Sequence, residues 1–315
     1  MNALELMSLR KGYGTVTAVD NLELVVPEGT IYGFLGPNGA GKTTTLRMIV
    51  GLIRPTAGEI RIAGKPVTFG HAAGRESIGY LPDVPNYHPW MSAEEYLAYT
   101  GRLYGIPHRE LKLRIEETLG LVGLTKPKRR LGGYSRGMKQ RLGIAQALLH
   151  KPKLLLLDEP ASALDPLGRK DVMDIIRQLS GRTTVFFSTH ILTDIERVCD
   201  RVAILHQGKL VAEDDLASLK NRYAMNEWHI RVENEEQLTR MKTALEQEEW
   251  ASKLRPGEDR DLFVTARHEG IGGYRLPKIA AEQDLALLLL ELVTPSLEDI
   301  FLSAVQPADN RKGGA

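Results

Sequence analysis

The 315-residue sequence carries 41 Lys and Arg against 40 Asp and Glu, is 43% hydrophobic and 6% aromatic, and contains one cysteine. Near-average apolar and charged fractions exclude a disordered or fibrous chain, and a lone Cys199 excludes an internal disulfide framework and predicts a reducing cytoplasm. The longest apolar run, Leu285 to Leu290, is far short of the ~20 residues of a membrane span, and the first residues lack a signal peptide's pattern, so no crossing of a membrane is expected.

In chain order, Leu22 to Val26 and Ile31 to Leu35 are β-rich runs split by the turn combination Pro27-Glu28-Gly29. A glycine-rich stretch, Gly36 to Gly41, leads into a predicted helix over Thr43 to Leu52. Ser92 to Leu149 is helical in pattern, broken at Gly105-Ile106-Pro107 and at Lys126-Pro127-Lys128. Strands return at Lys153 to Leu157 and Thr183 to Ser188, each followed by a helix-like segment. Four consecutive leucines before Asp158 predict a strand buried on both faces, as in a parallel sheet. Strands alternating with helices predict an open α/β sheet.

Composition changes after about Tyr223. Residues 224–315 hold 11 Lys and Arg against 17 Asp and Glu, a net of −6, whereas residues 1–223 hold 30 against 23, a net of +7. A mildly basic front part suits an anionic ligand but is too weak to indicate nucleic acid. Trp228, Ile230 and Val232 alternate with polar residues as in a half-buried strand, Glu235 to Trp250 reads as an amphipathic helix, and Asp261 to Ala266 as another strand. Pro256-Gly257 and Gly270 to Gly273 read as punctuation. The expected division is 1–223, a large α/β domain with a helical part over roughly 85–150, and 224–315, a small α+β domain.

Gly36-Pro37-Asn38-Gly39-Ala40-Gly41-Lys42-Thr43 matches the P-loop pattern. Glycines let backbone N–H groups wrap phosphates at the positive end of the following helix, which Thr44 continues. Lys42 is then the residue for the β- and γ-phosphates, and Thr43 a ligand for Mg²⁺. Leu154 to Leu157 followed by Asp158-Glu159 places two acids at the C-terminal edge of a buried strand, where open sheets bind ligands. Asp158 is the metal candidate and Glu159 the general base for the attacking water.

With both motifs placed, the sequence resembles the ATP-binding subunits of ABC transporters over nearly its whole length. The segment Gly132-Gly133-Tyr134-Ser135-Arg136-Gly137-Met138-Lys139-Gln140-Arg141 looks like the family's signature loop, usually L-S-G-G-Q. Ser135 and Gly137 match it, while Tyr134, Arg136 and Met138 depart. The resemblance implies a P-loop ATPase core with an antiparallel β subdomain and a helical subdomain, binding ATP and Mg²⁺. It also implies that Tyr13 stacks on adenine, that His190 contacts the γ-phosphate, and that Ser162-Ala163-Leu164-Asp165 links two ATP sites across a dimer. Asp83 stands where members often carry a metal-sensing glutamine, and is shorter and charged. The adjoining Val84 to Met91, with Tyr87, Pro89 and Trp90, would border the groove that receives a permease helix. Thr294-Pro295-Ser296-Leu297-Glu298-Asp299-Ile300-Phe301-Leu302 looks like the ending of type 2 exporter ATPases, including the daunorubicin-type drug-resistance family, in a final helix capped by Ser296.

A P-loop and its own signature loop lie on different sides of one chain in this family. The resemblance therefore implies a head-to-tail homodimer in which Lys42 of one chain and Ser135, Gly137 and Asp165 of the other enclose each ATP. Integral-membrane permease subunits would be separate chains, with this chain peripheral at the cytoplasmic face of the membrane, without a covalent anchor. The alternative is a soluble, non-transport ABC ATPase acting as an ATP-driven dimer switch. Those forms tend to carry two cassettes or a long coiled coil, whereas only about 90 residues separate Lys42 from Ser135 here.

Overall fold

The computed structural model describes residues 1–70, 75–125, 129–223, 226–268 and 270–305. Met1–Leu216 forms one compact unit and Ala217–Ser303 a second.

In the first unit, β1 (Asn2–Tyr13) and β2 (Val16–Pro27) form a long antiparallel hairpin. The fully buried β3 (Ile31–Leu35) runs into the glycine-rich loop and α1 (Lys42–Ile49), which ends earlier than its sequence pattern predicts. The chain returns to β1 through β4 (Ala57–Ile62) and β5 (Lys65–Pro66), completing an antiparallel sheet ordered β2-β1-β4-β5. Next come β6 (Ile78–Leu81) and three helices, α2 (Ala93–Leu103), α3 (His108–Leu121) and α4 (Arg136–Leu148). Ser92 and Glu95 close a reciprocal capping box at the start of α2. The break expected at Lys126-Pro127-Lys128 lies outside the described residues.

The acidic strand is β7 (Leu154–Asp158), followed by α5 (Pro166–Gln178), β8 (Thr184–Thr189), α6 (Leu192–Val198), β9 (Arg201–His206) and β10 (Lys209–Asp215). The six-stranded sheet is ordered β10-β9-β3-β8-β7-β6, and only β10 pairs antiparallel. Alternate side chains of its central strands explain the layering. Tyr32, Phe34, Leu154, Leu156 and Phe186 share one core with Leu46 and Ile49 of α1 and with Leu4, Leu6 and Leu24 of the antiparallel sheet. A strand two-sided in its burial must be apolar throughout, which is why β7 is four leucines.

The second unit begins with α7 (Leu216–Tyr223), which composition alone groups with the first domain. It contains β11 (Glu227–Val232), α8 (Glu235–Glu246), β12 (Ala251–Pro256), β13 (Asp261–Ala266), α9 (Ile271–Glu282) and β14 (Leu287–Leu292). Its antiparallel sheet is ordered β12-β13-β11-β14. Ile230, Val232, Leu262 and Val264 on one face pack with Met241 and Leu245 of α8 and Leu276 and Ile279 of α9. Two expectations are corrected. The helix from Glu235 stops at Glu246, because Trp250 joins the core from the turn before β12. Gly270 to Gly273 is no mere punctuation: Gly272 lies in α9, so close to Trp228 that a Cβ would fall 2.3 Å from the indole nitrogen. The last helix, α10 (Leu297–Val305), is capped as expected, with Ser296 Oγ accepting the Asp299 N–H.

Candidate active site

The loop between β3 and α1 forms a cradle at the C-terminal edge of the parallel sheet. Gly41 immediately precedes α1 with φ of +106°, and a Cβ there would meet the Ala18 carbonyl oxygen at 2.4 Å. Only glycine fits. The first-turn N–H groups of α1 have no acceptor within the helix, and they belong to residues lining a cavity of about 330 Å³. Asn38, Gly39, Ala40, Gly41, Lys42, Thr43, Thr44, Asp83, Glu159 and His190, all predicted site residues, line it together with Ala18 and Ser162. Gly36 and Pro37 act from beneath, through carbonyls that accept from Lys42 Nζ at 2.6 and 3.2 Å.

Charge in the cavity is closely paired. Lys42 Nζ, buried, is 3.2 Å from Glu159 Oε1, and the other Glu159 oxygen is 2.8 Å from His190 Nδ1. Asp158 Oδ1 accepts from Thr43 Oγ1 at 3.1 Å and from Ser188 Oγ at 2.7 Å. Burial pushes the Asp158 carboxyl above the ordinary carboxylate range, and the Ser188 and Thr43 hydroxyls partly offset it, while Asp83 and Glu159 push the same way as burial. Asp83 lines the cavity with a buried Oδ1 that has no hydrogen-bond partner, and its backbone carbonyl accepts from Gln140 Nε2 of α4 at 2.9 Å. An ammonium, helix-terminal amides, two acids and an imidazole thus converge on one polyanion-sized space.

A family model described as ABC transporter matches residues 19–162. The uncharacterized ABC transporter ATP-binding protein YxlF of Bacillus subtilis is 40% identical over 96% of this chain and 99% of its own length. The bacitracin transport ATP-binding protein BcrA of Bacillus licheniformis is 39% identical over 94% of this chain and 95% of its own. The chain belongs to the ABC transporter ATP-binding proteins. Its fold agrees with the ATP-binding cassette MJ0796, solved as a dimeric post-hydrolysis state with ADP and Pi, at a TM-score of 0.61 and 26% identity over 68% of this chain and 98% of that one. This ABC subunit is an ATPase that powers transport.

The remaining predicted residues of this ABC ATPase lie outside the cavity lining. Ser135 is exposed and caps α4, its Oγ accepting the Met138 N–H at 3.2 Å. Asp165 is exposed and caps α5, accepting the Gly168 N–H at 3.1 Å. A Cβ on Gly137 would come to 3.9 Å from Leu164, so the signature loop and the segment before α5 are neighbours. Tyr13 is 48% exposed at the end of β1, with the Lys11 ammonium 4.8 Å from its ring centroid, and the structure does not bring it into the lining. Sequence reasoning missed the partnerships of Ser188 with Asp158 and of Gln140 with Asp83. The available signals were a hydroxyl ending an apolar strand and an amide on the buried face of a helix.

Proposed function

We propose that this ATPase drives export as a homodimer, peripheral at the cytoplasmic face of the membrane, beneath separate integral-membrane permease subunits. The observation that carries it is the arrangement of Lys42, Glu159 and His190 around one cavity with Ser135, Gly137 and Asp165 on the surface outside it. Two copies head to tail complete each other's sites. Residues 294–302, with their resemblance to type 2 exporter endings, and the relation to a bacitracin transport protein support the exporter subclass. Among the described residues no helix is long and apolar enough to cross a membrane.

Glu159 is the base that accepts the proton of the attacking water, held by His190 and released from Lys42 when phosphate oxygens take the ammonium. His190, Lys42 and the α1 amides stabilise charge on the transferring phosphoryl group. Thr43 and Asp158 fit Mg²⁺: both are hard oxygen donors, already 3.1 Å apart, and Asp83, whose buried Oδ1 has no hydrogen-bond partner, lines the same cavity. When bound, Mg²⁺ supplies neutralisation of the phosphate charge.

Trp90 is 67% exposed, beside His88 at a ring-centroid distance of 5.0 Å, and His88 in turn meets Tyr96 and Tyr99. We assign this patch to the permease. The experiment is co-purification of the tagged chain from native membranes in mild detergent. A multi-spanning partner is expected; recovery as a soluble dimer alone overturns the assignment to a separate permease while leaving the ATP site intact.

A further inference from the structure

Ser188 sits on β8 between the strand that leads into the loop and the strand that ends in the acids. It is level with Phe34 of β3 on one side and Asp158 of β7 on the other. Its side chain is fully buried, and its hydroxyl is used twice. The O–H donates to Asp158 Oδ1 at 2.7 Å, and the oxygen accepts the Glu159 N–H at 3.0 Å. Thr43 donates to that same Oδ1 at 3.1 Å, so Asp158 is pinned through one oxygen and neither hydroxyl engages Oδ2.

The second contact bears on Glu159, whose φ is +49°. A residue with a side chain keeps that left-handed backbone only where its surroundings over-determine it. Here the Glu159 N–H is held by both the hydroxyl and the carbonyl of Ser188, the latter at 3.2 Å, and the Glu159 carbonyl accepts the Ser162 N–H at 3.1 Å. From this backbone the carboxylate reaches Lys42 on one side and His190 on the other. A change in φ would swing the carboxylate away from both.

We propose that Ser188 is a positioning residue for ATP hydrolysis, one hydroxyl that sets the Asp158 carboxylate and the left-handed backbone of Glu159 together. Ser188 does not line the cavity, so it acts on the reaction only through the two acids. Its role rests on Glu159 being the base proposed above.

The test compares Ser188→Ala, Ser188→Thr and Glu159→Gln in steady-state ATP hydrolysis, in equilibrium binding of a trinitrophenyl-ATP probe, and in thermal unfolding. Ser188→Ala is expected to lower kcat by about 10- to 100-fold, the scale of a small misplacement of a catalytic group, with probe affinity unchanged. Ser188→Thr, which restores the hydroxyl, is expected to recover most of that loss. A parental kcat in Ser188→Ala overturns the proposal. So does a loss of probe affinity in place of kcat, or equal impairment of Ala and Thr variants with a matching fall in unfolding temperature. Glu159→Gln separates the two ideas: parental turnover there refutes the base itself, whatever Ser188→Ala does.

Discussion

Lys42 and Glu159 form an ion pair at 3.2 Å with side chains only 5% and 11% exposed. The residue proposed to grip phosphate and the residue proposed to activate water therefore hold each other inside the cavity. In the proposed mechanism nucleotide phosphates compete with Glu159 for one ammonium, which would couple binding to release of the base by charge. Neutralising Glu159 removes that competitor. Glu159→Gln is expected to bind ATP at least as tightly as the parent while losing about 10²- to 10⁴-fold in turnover. Equilibrium binding and phosphate-release assays check both halves.

Lys42→Ala strands the other member of the pair. Glu159 keeps His190 but loses its buried cation, and truncating one partner of a buried pair destabilises by about 3 kcal/mol. The variant is expected to bind nucleotide weakly and to unfold at lower temperature even without nucleotide. Calorimetric titration with ATP and a thermal melt together check it.

In the proposed head-to-tail pair Lys42 and Ser135 serve opposite sites, so two dead variants are expected to rescue each other. A mixed dimer of Lys42→Ala and Ser135→Ala chains has one site with both defects and one with neither. Mixing the purified variants therefore restores part of the hydrolysis that each lacks alone. Mixtures that stay inactive across all ratios refute the arrangement in trans.

In the second unit, the Arg231 guanidinium, bonded through Nε and a terminal nitrogen at 2.6 and 2.9 Å, holds the Asp261 carboxyl down at about 2 from its ordinary 3.8, with His229 adding to the effect. A depressed carboxylate contributes stability above its unfolded value and loses it as pH falls through the folded value. Stability of this unit is thus expected to decline between about pH 4 and 2, and Arg231→Gln moves that decline upward. Of three tryptophans, Trp228 and Trp250 belong to this unit. Denaturation followed by their emission in a Trp90→Phe background measures it.

Trp90→Ala is expected to change stability by less than about 0.5 kcal/mol, as at most exposed sites, and to leave ATP binding intact. Its measurable effect is reduced recovery of the permease in the membrane co-purification.

Local chemistry made much of the molecule legible in advance. The spacing of Gly36, Gly41, Lys42 and Thr43 declares a phosphate cradle because backbone geometry demands it, and four leucines before Asp158 declare a strand buried on both faces. The β1–β2 hairpin and the pairing of β9 with β10 were not legible in full. Half-buried strands with bulges, such as those between Leu6 and Leu9, interrupt the alternation that marks a strand. In the second unit, the helix ending at Glu246 and the role of Gly272 depend on Trp250 and Trp228, whose packing partners are distant in sequence.

The sequence by itself determined the chemistry: a loop that binds polyphosphate, two acids at a strand end, and a histidine after the next strand. Those depend on short segments whose backbone needs are met locally. Only tertiary structure decided which groups touch. Strands 154–158 and 184–189 lie about 30 residues apart in the chain, and their parallel register alone puts Ser188 against Asp158 and turns the Glu159 amide toward it. A hydrogen bond acts over about 3 Å, and no spacing along the chain reports a distance set by strand order.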